Sequence, residues 1–123
     1  MREFQVQTLS YIRQNHDPLV SLRWFVEKTA NYVIDHSELL LEASYHSGVD
    51  MMGHPAHMWW RQTIVGLIAR LNVSGDTSYI ADILYVMLDV QTIRFQLRGL
   101  GYDVQRIMDG LMMSTERLLQ VQN

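Results

Sequence analysis

His54 and His57 stand three residues apart at the start of a helical segment, where both rings can face one side. Glu42 and His46 stand four apart on the segment before it. Together they form a conceivable nitrogen and oxygen metal set. A loop separates the two pairs, and four partly exposed polar side chains are the plainer reading, so no metal is assigned. A di-iron bundle would need Glu-x-x-His on two helices, and Glu42 is followed three positions later by Tyr45. Asp82 and Asp89 fall on one helical face two turns apart, roughly 10 Å at 1.5 Å per residue. That is too far for a general acid–base couple. They read as solvent-facing, or as ionic partners for Arg94 or Arg98 of a second subunit. No Gly-rich phosphate loop, Gly-x-Ser-x-Gly or His-Glu-x-x-His is present, and there is no cysteine nucleophile. No catalytic residue and no cofactor are expected, and the chain reads as a non-enzyme.

What must position such groups is a single domain. The chain has 123 residues, enough to bury a core without disulfide staples. Its hydrophobic fraction of 48% and charged fraction of 19% are those of a folded domain, not a disordered one. A formal charge of −3, one lysine (Lys28) and scattered arginines supply no clustered basic face for phosphates, so direct nucleic-acid contact is not expected. The first twenty residues lack the apolar run of a secretory signal. The longest apolar stretch, Tyr79 to Leu97, is interrupted by Asp82, Asp89 and Arg94, so no membrane span is expected. A cytoplasmic location is the baseline expectation.

Punctuation divides the chain into six helical pieces with no period-two strand, an all-α bundle with short connections. The first piece, Arg2 to Asn15, places Phe4, Thr8 and Tyr11 beside Leu9 and Ile12 and starts without a cap. Asp17 and Pro18 open the second, since aspartate caps free N–H groups and proline at the first helical position loses no hydrogen bond. Its apolar row runs Leu19, Leu22, Val26, Val33, widened by Phe25 and Tyr32. Ser37 is expected to cap a third piece through Tyr45. Pro55 opens a fourth, with Trp60, Ile64, Leu67 and Leu71 on one face, closed by Ser74 and Gly75. Asp76 or Thr77 caps a fifth, read as continuous through Leu97. That piece is apolar on two sides, with Ile80, Ile83, Leu84, Met87 and Val90 on one row and Val86, Ile93 and Leu97 on another. A helix this apolar needs a large core or a second subunit, and a small domain favours the subunit. Asp103 caps a sixth piece, whose apolar face is Val104, Ile107, Met108, Leu111, Met112, Leu118 and Leu119.

The run His16-Asp17-Pro18-Leu19 with Leu22-Arg23 and Phe25, continuing to Tyr32 and His36-Ser37-Glu38-Leu39-Leu40, resembles the start of the effector-binding domain of TetR-family transcriptional regulators. Trp60 to Leu71 followed by Asn72-Val73-Ser74-Gly75-Asp76, the long apolar piece, the Gly99/Gly101 break and the closing helix continue that order. The resemblance spans essentially the whole chain as order and punctuation. It implies a six-helix orthogonal and antiparallel bundle, with residues 1–15 as the remainder of a helix that joins a DNA-binding helix-turn-helix missing here. It places pocket helices at 17–73 and dimerising helices at 77–120.

The resemblance therefore implies a homodimer that binds a small apolar or aromatic effector. Its pocket segments carry Trp24, Tyr32, Tyr45, Met58, Trp59, Trp60 and Tyr85. Aromatic residues suit such a pocket and suit a core equally. Trp59 and Trp60 point about 100° apart on a helix; Trp60 follows the core row and Trp59 is the pocket or surface candidate. Arg61 could fork onto a ligand carboxylate or pair with a nearby acid. The expected dimer face is Ile83, Met87, Val90, Ile93, Leu97, Ile107, Leu111, Met112 and Leu118. The eight methionines, Met108, Met112 and Met113 among them, suit either gap filling or adaptable ligand contact. The alternative from another class is a helical scaffold that uses the same faces for a protein partner and has no small-molecule site.

Overall fold

Four aspartates set where helices begin. In the computed structural model, which describes residues 2–47 and 55–119, Asp17 accepts a hydrogen bond from the Leu19 N–H at 2.9 Å and Asp76 from the Tyr79 N–H at 3.1 Å. Asp103 accepts from the Arg106 N–H at 2.7 Å. Asp89 accepts from both the Gln91 and Thr92 N–H groups, at 3.1 and 3.2 Å. Each carboxylate satisfies donors that the first turn leaves free and places negative charge at the positive end of the helix dipole. The resulting order is α1 (Arg2–Gln14), α2 (Pro18–Asp35), α3 (Ser37–Ser47), α4 (Pro55–Ala69), α5 (Thr77–Met87), α6 (Val90–Arg94), a π-helical turn (Phe95–Gly99) and α7 (Val104–Leu118). The fold is all-α, with no strand among the described residues. None of their helices is long and apolar enough to cross a membrane.

Three boundaries differ from those expected. The fifth piece is not continuous to Leu97. It stops at Met87, where the Leu88 N–H bonds the Tyr85 carbonyl and the Asp89 N–H the Val86 carbonyl, both at 3.1 Å. The Asp89 side chain then caps a new helix, the competition by which a short acceptor interrupts a backbone ladder. Asp82 and Asp89 consequently do not share a helix. After α6 the ladder widens into a π turn, with the Leu100 N–H on the Phe95 carbonyl at 3.0 Å, and Gly101 at φ +70° carries the chain into Asp103. Ser37 begins α3, but its hydroxyl accepts a hydrogen bond from Arg94 Nη1 at 3.0 Å, tying α3 to α6. α4 ends at Ala69, before Ser74 and Gly75.

α2 is the central helix, packing against α1, α3, α4, α6 and α7. Its Leu22, Phe25, Val26, Ala30 and Val33 are buried, as the apolar row predicts. They meet Ile64, Leu67 and Ile68 of α4, Leu84 of α5, Ile93 of α6, and Ile107 and Leu111 of α7 in one core. Ring contacts extend that core outward. Phe4 of α1 stacks on Phe25 at 5.8 Å and on Tyr32 at 5.7 Å, and meets the Trp59 ring edge-on at 5.7 Å. Such pairs add to area burial through complementary ring quadrupoles.

Candidate functional site

Beyond Tyr32 the rings continue to the edge of a cleft. Tyr32 meets Trp60 at 6.1 Å, Trp60 meets His57 at 5.2 Å, and His57 meets Tyr85 at 5.8 Å, all steeply tilted. Thr29 and Val33 of α2, Leu40 of α3, His57 and Trp60 of α4, Tyr85 of α5, and the following Leu88, Asp89 and Val90 line the cleft, which encloses about 20 Å³. That is room for a single water-sized group. Its polar groups are few. His57 Nδ1 and the Tyr85 hydroxyl are hydrogen-bonded. Trp60 Nε1 and Thr29 Oγ1 are buried without a hydrogen-bond partner among the described residues, although Trp60 is 6% exposed and Thr29 only 1%. A buried polar atom left unpaired carries its full desolvation cost.

Asp89 supplies the cleft's formal negative charge. Burial, and secondarily this charge, push the Tyr85 hydroxyl from its ordinary 10.0 up to about 12. Because the folded value is raised, the contribution to stability is full below pH 10 and is lost as pH rises towards 12, as the unfolded chain ionises first. The tyrosinate absorbance titration is expected to show a late phase that Tyr85→Phe abolishes. The native chain should lose on the order of 2 kcal/mol more than that variant between pH 10 and 12. Coincident titrations of the two proteins would contradict this placement of Tyr85.

Of the residues expected to hold a ligand, Tyr85 lines the cleft. Tyr32 stands one ring behind it, against Trp60. Trp24 stacks on Tyr11 at 4.3 Å on the other side of Phe4. Met58 is exposed, and Tyr45 and His46 have side chains outside the described residues. Trp60 is buried in the core, as its row predicts, and also lines the cleft; Trp59, the expected pocket or surface residue, packs edge-on against Phe4 and Phe25 instead. Arg61 is occupied, its Nε donating to Asp82 Oδ1 at 2.5 Å across α4 and α5, so it faces no ligand carboxylate. Arg94, expected across a subunit boundary from the aspartates, reaches Ser37 and lies 3.6 Å from Glu38 of the same chain. Of the conceivable metal set, Glu42 is exposed and His57 bonds Tyr85, while the His46 side chain and His54 lie outside the described residues. Among those residues no group of three metal-binding side chains occurs.

Thr29 is a polar cleft residue that sequence reasoning missed. Thr29 was visible as a hydroxyl within the apolar row Leu22, Val26, Val33. Trp60, named among the pocket-segment aromatics, is buried on the core row as expected and also lines the cleft.

The expected dimer face requires correction at four positions. Val90, Ile93, Ile107 and Leu111 are buried in the core of the single chain, because the break at Asp89 turns α6 inward and α7 lays one side on α2. Met87, Leu97, Met112 and Leu118 are half-buried against that core. Ile83 remains half-exposed, between Tyr79 at 64% and Val86 at 58% exposure. These three lie at i, i+4 and i+7, one outward row of α5. No family model, curated protein or solved structure matches the chain.

Proposed function

We propose that this chain is the effector-binding and homodimerising domain of a TetR-like transcriptional regulator, with the described helices forming a bundle of that type. The observation that carries the reading is the cleft between α2, α4 and α5, largely apolar and bordered by Thr29 and Trp60, whose Oγ1 and Nε1 have no hydrogen-bond partner among the described residues. Pockets between the helices of a bundle have this character, mostly apolar with a few placed polar groups. The same reading makes α5, through Tyr79, Ile83 and Val86, the face that meets a second copy. A bound effector would favour one arrangement of two subunits over another, which requires different affinity for the two arrangements. The ring series from the cleft through Trp60 and Tyr32 to Phe4 is a contiguous route by which the cleft could bias α1. The chain itself is assigned no chemical step and no direct contact with nucleic acid, and a cytoplasmic place suits that role.

The narrowness of the cleft favours a second reading, a helical scaffold for a protein partner, since pockets for drug-sized ligands run to roughly 300–1,000 Å³. A thermal-shift screen separates the two. A compound at about 100 times its Kd adds about 2.7 kcal/mol to stability, so a hit among small hydrophobic compounds that Trp60→Phe weakens supports the effector reading. Uniform silence across the library supports the scaffold.

A further inference from the structure

We propose that the groove between the π turn and α7 is a binding site for small aromatic carboxylates. It is separate from the cleft between α2, α4 and α5 and stands whether or not that cleft takes an effector. The groove holds about 280 Å³, near the lower end of the roughly 300–1,000 Å³ of small-molecule sites. Every residue lining it lies in the described part of the chain, between Met87 and Ser114. Its base is apolar. Ile107 and Leu111 of α7 are buried beneath it, and Met87, at the end of α5, adds an adaptable thioether that pairs well with aromatic rings. Gly110 keeps the space open, since a Cβ there would meet nothing within 4 Å.

The opposite wall comes from the π turn. Widened turns of this kind interrupt a helix and are frequent at functional sites. This one is tied back, the Gln96 carbonyl accepting from the Tyr102 N–H at 2.9 Å. It also needs glycine at its end, because a Cβ on Gly99 would stand 2.6 Å from the Phe95 ring. Gln96 and Tyr102 both line the groove.

Arg106 supplies the charge that selects the ligand. Its guanidinium carbon lies 3.9 Å from the centre of the Tyr102 ring, and its side chain makes no ion pair or hydrogen bond among the described residues. Contact with a ring face leaves the guanidinium N–H donors for a carboxylate. No acidic residue lines the groove. The acids nearest along the chain are engaged, Asp103 by the Arg106 backbone N–H at 2.7 Å and Asp109 by Gln105 Nε2 at 2.8 Å. An aromatic carboxylate therefore meets a cation, an apolar base and the polar side chains of Gln96 and Ser114. A cationic ligand meets no counter-charge.

The test follows the backbone amides of the ¹⁵N-labelled chain during titration with 3-phenylpropionate and, separately, with its uncharged amide. The expected result is saturable movement centred on Gln96, Ile107, Gly110 and Ser114 with the carboxylate, and binding of the amide about tenfold weaker, the value of a hydrogen bond to a charged group. Arg106→Gln removes an exposed charge and should bring the two probes to within a few-fold of each other. Gly110→Leu fills the groove and raises the helical propensity of α7. It should abolish movement by both probes while leaving the circular dichroism spectrum and the sedimentation mass unchanged. Should that variant lose its fold, Arg106→Gln decides: a preference for the carboxylate that survives there overturns the proposal. Equal binding of carboxylate and amide by the native chain overturns the ligand class. Full-strength binding by folded Gly110→Leu overturns the site. Amides unmoved by millimolar carboxylate overturn the proposal outright. So does a halved sedimentation mass in Gly110→Leu, which would give the groove to a second copy of the chain.

Discussion

Phe25→Ala is expected to destabilise the chain by about 3–5 kcal/mol, the usual cost of replacing a buried phenylalanine by alanine. Phe25 is wholly buried on the central helix, stacked on Phe4 and met edge-on by Trp59 at 5.6 Å. The vacated space would be bounded by α1, α2 and α4 together, whose backbones cannot collapse independently. Since domains of this kind hold about 5–15 kcal/mol in all, the variant should be largely unfolded at temperatures the native chain withstands. Urea denaturation followed by circular dichroism measures the difference. Arg23→Ala is the contrast: its 2.6 Å pair with Glu116 joins two substantially exposed side chains, and such pairs contribute about 0–1 kcal/mol. Equal losses in the two variants would contradict the placement of the core around α2.

If the proposed regulator reading holds, the double substitution Ile83→Arg and Val86→Arg dissociates an α5-mediated dimer while leaving the fold intact. Val86 is exposed and Ile83 half-exposed in the single chain, so arginine at either position meets water when the protein is monomeric. In an α5-mediated dimer the same guanidinium groups would be desolvated and would face their symmetry copies. Breaking or burying unpaired charge in that way costs about 3–5 kcal/mol, which weakens association at least about a hundredfold. Light scattering at tens of micromolar should then report a monomer with an unchanged helical spectrum. An unchanged dimer would place the subunit contact elsewhere, and a lost spectrum would show that these residues serve the core.

Much of the fold was legible because helix signals in this chain are local. Asp17-Pro18, Asp76 and Asp103 announce their helices with side chains that cap them as expected, and the row Leu22, Val26, Val33 announces its own burial. The division of the fifth helix was less legible, because Asp89 sits in an apolar pattern that periodicity alone continues through it. Whether an aspartate caps a new helix or faces solvent from an old one depends on the backbone three residues ahead. The dimer face failed for a related reason. Two-sided apolarity does not say what covers each side, and the chain itself covers Ile93 and Ile107, leaving Tyr79 and Val86 exposed. The cleft was the least legible. Its walls come from four separate stretches, and the two atoms that give it character, Trp60 Nε1 and Thr29 Oγ1, are conspicuous only through contacts they lack within the described structure.

A population shift between two subunit arrangements has no meaning for a lone subunit, so the regulator assignment depends first on a second copy. Sedimentation equilibrium of the unaltered chain from one to a hundred micromolar tests this most directly. The account predicts a species of twice the 14.4 kDa chain mass at the upper concentrations, dissociating on dilution; a single 14.4 kDa species throughout would contradict it.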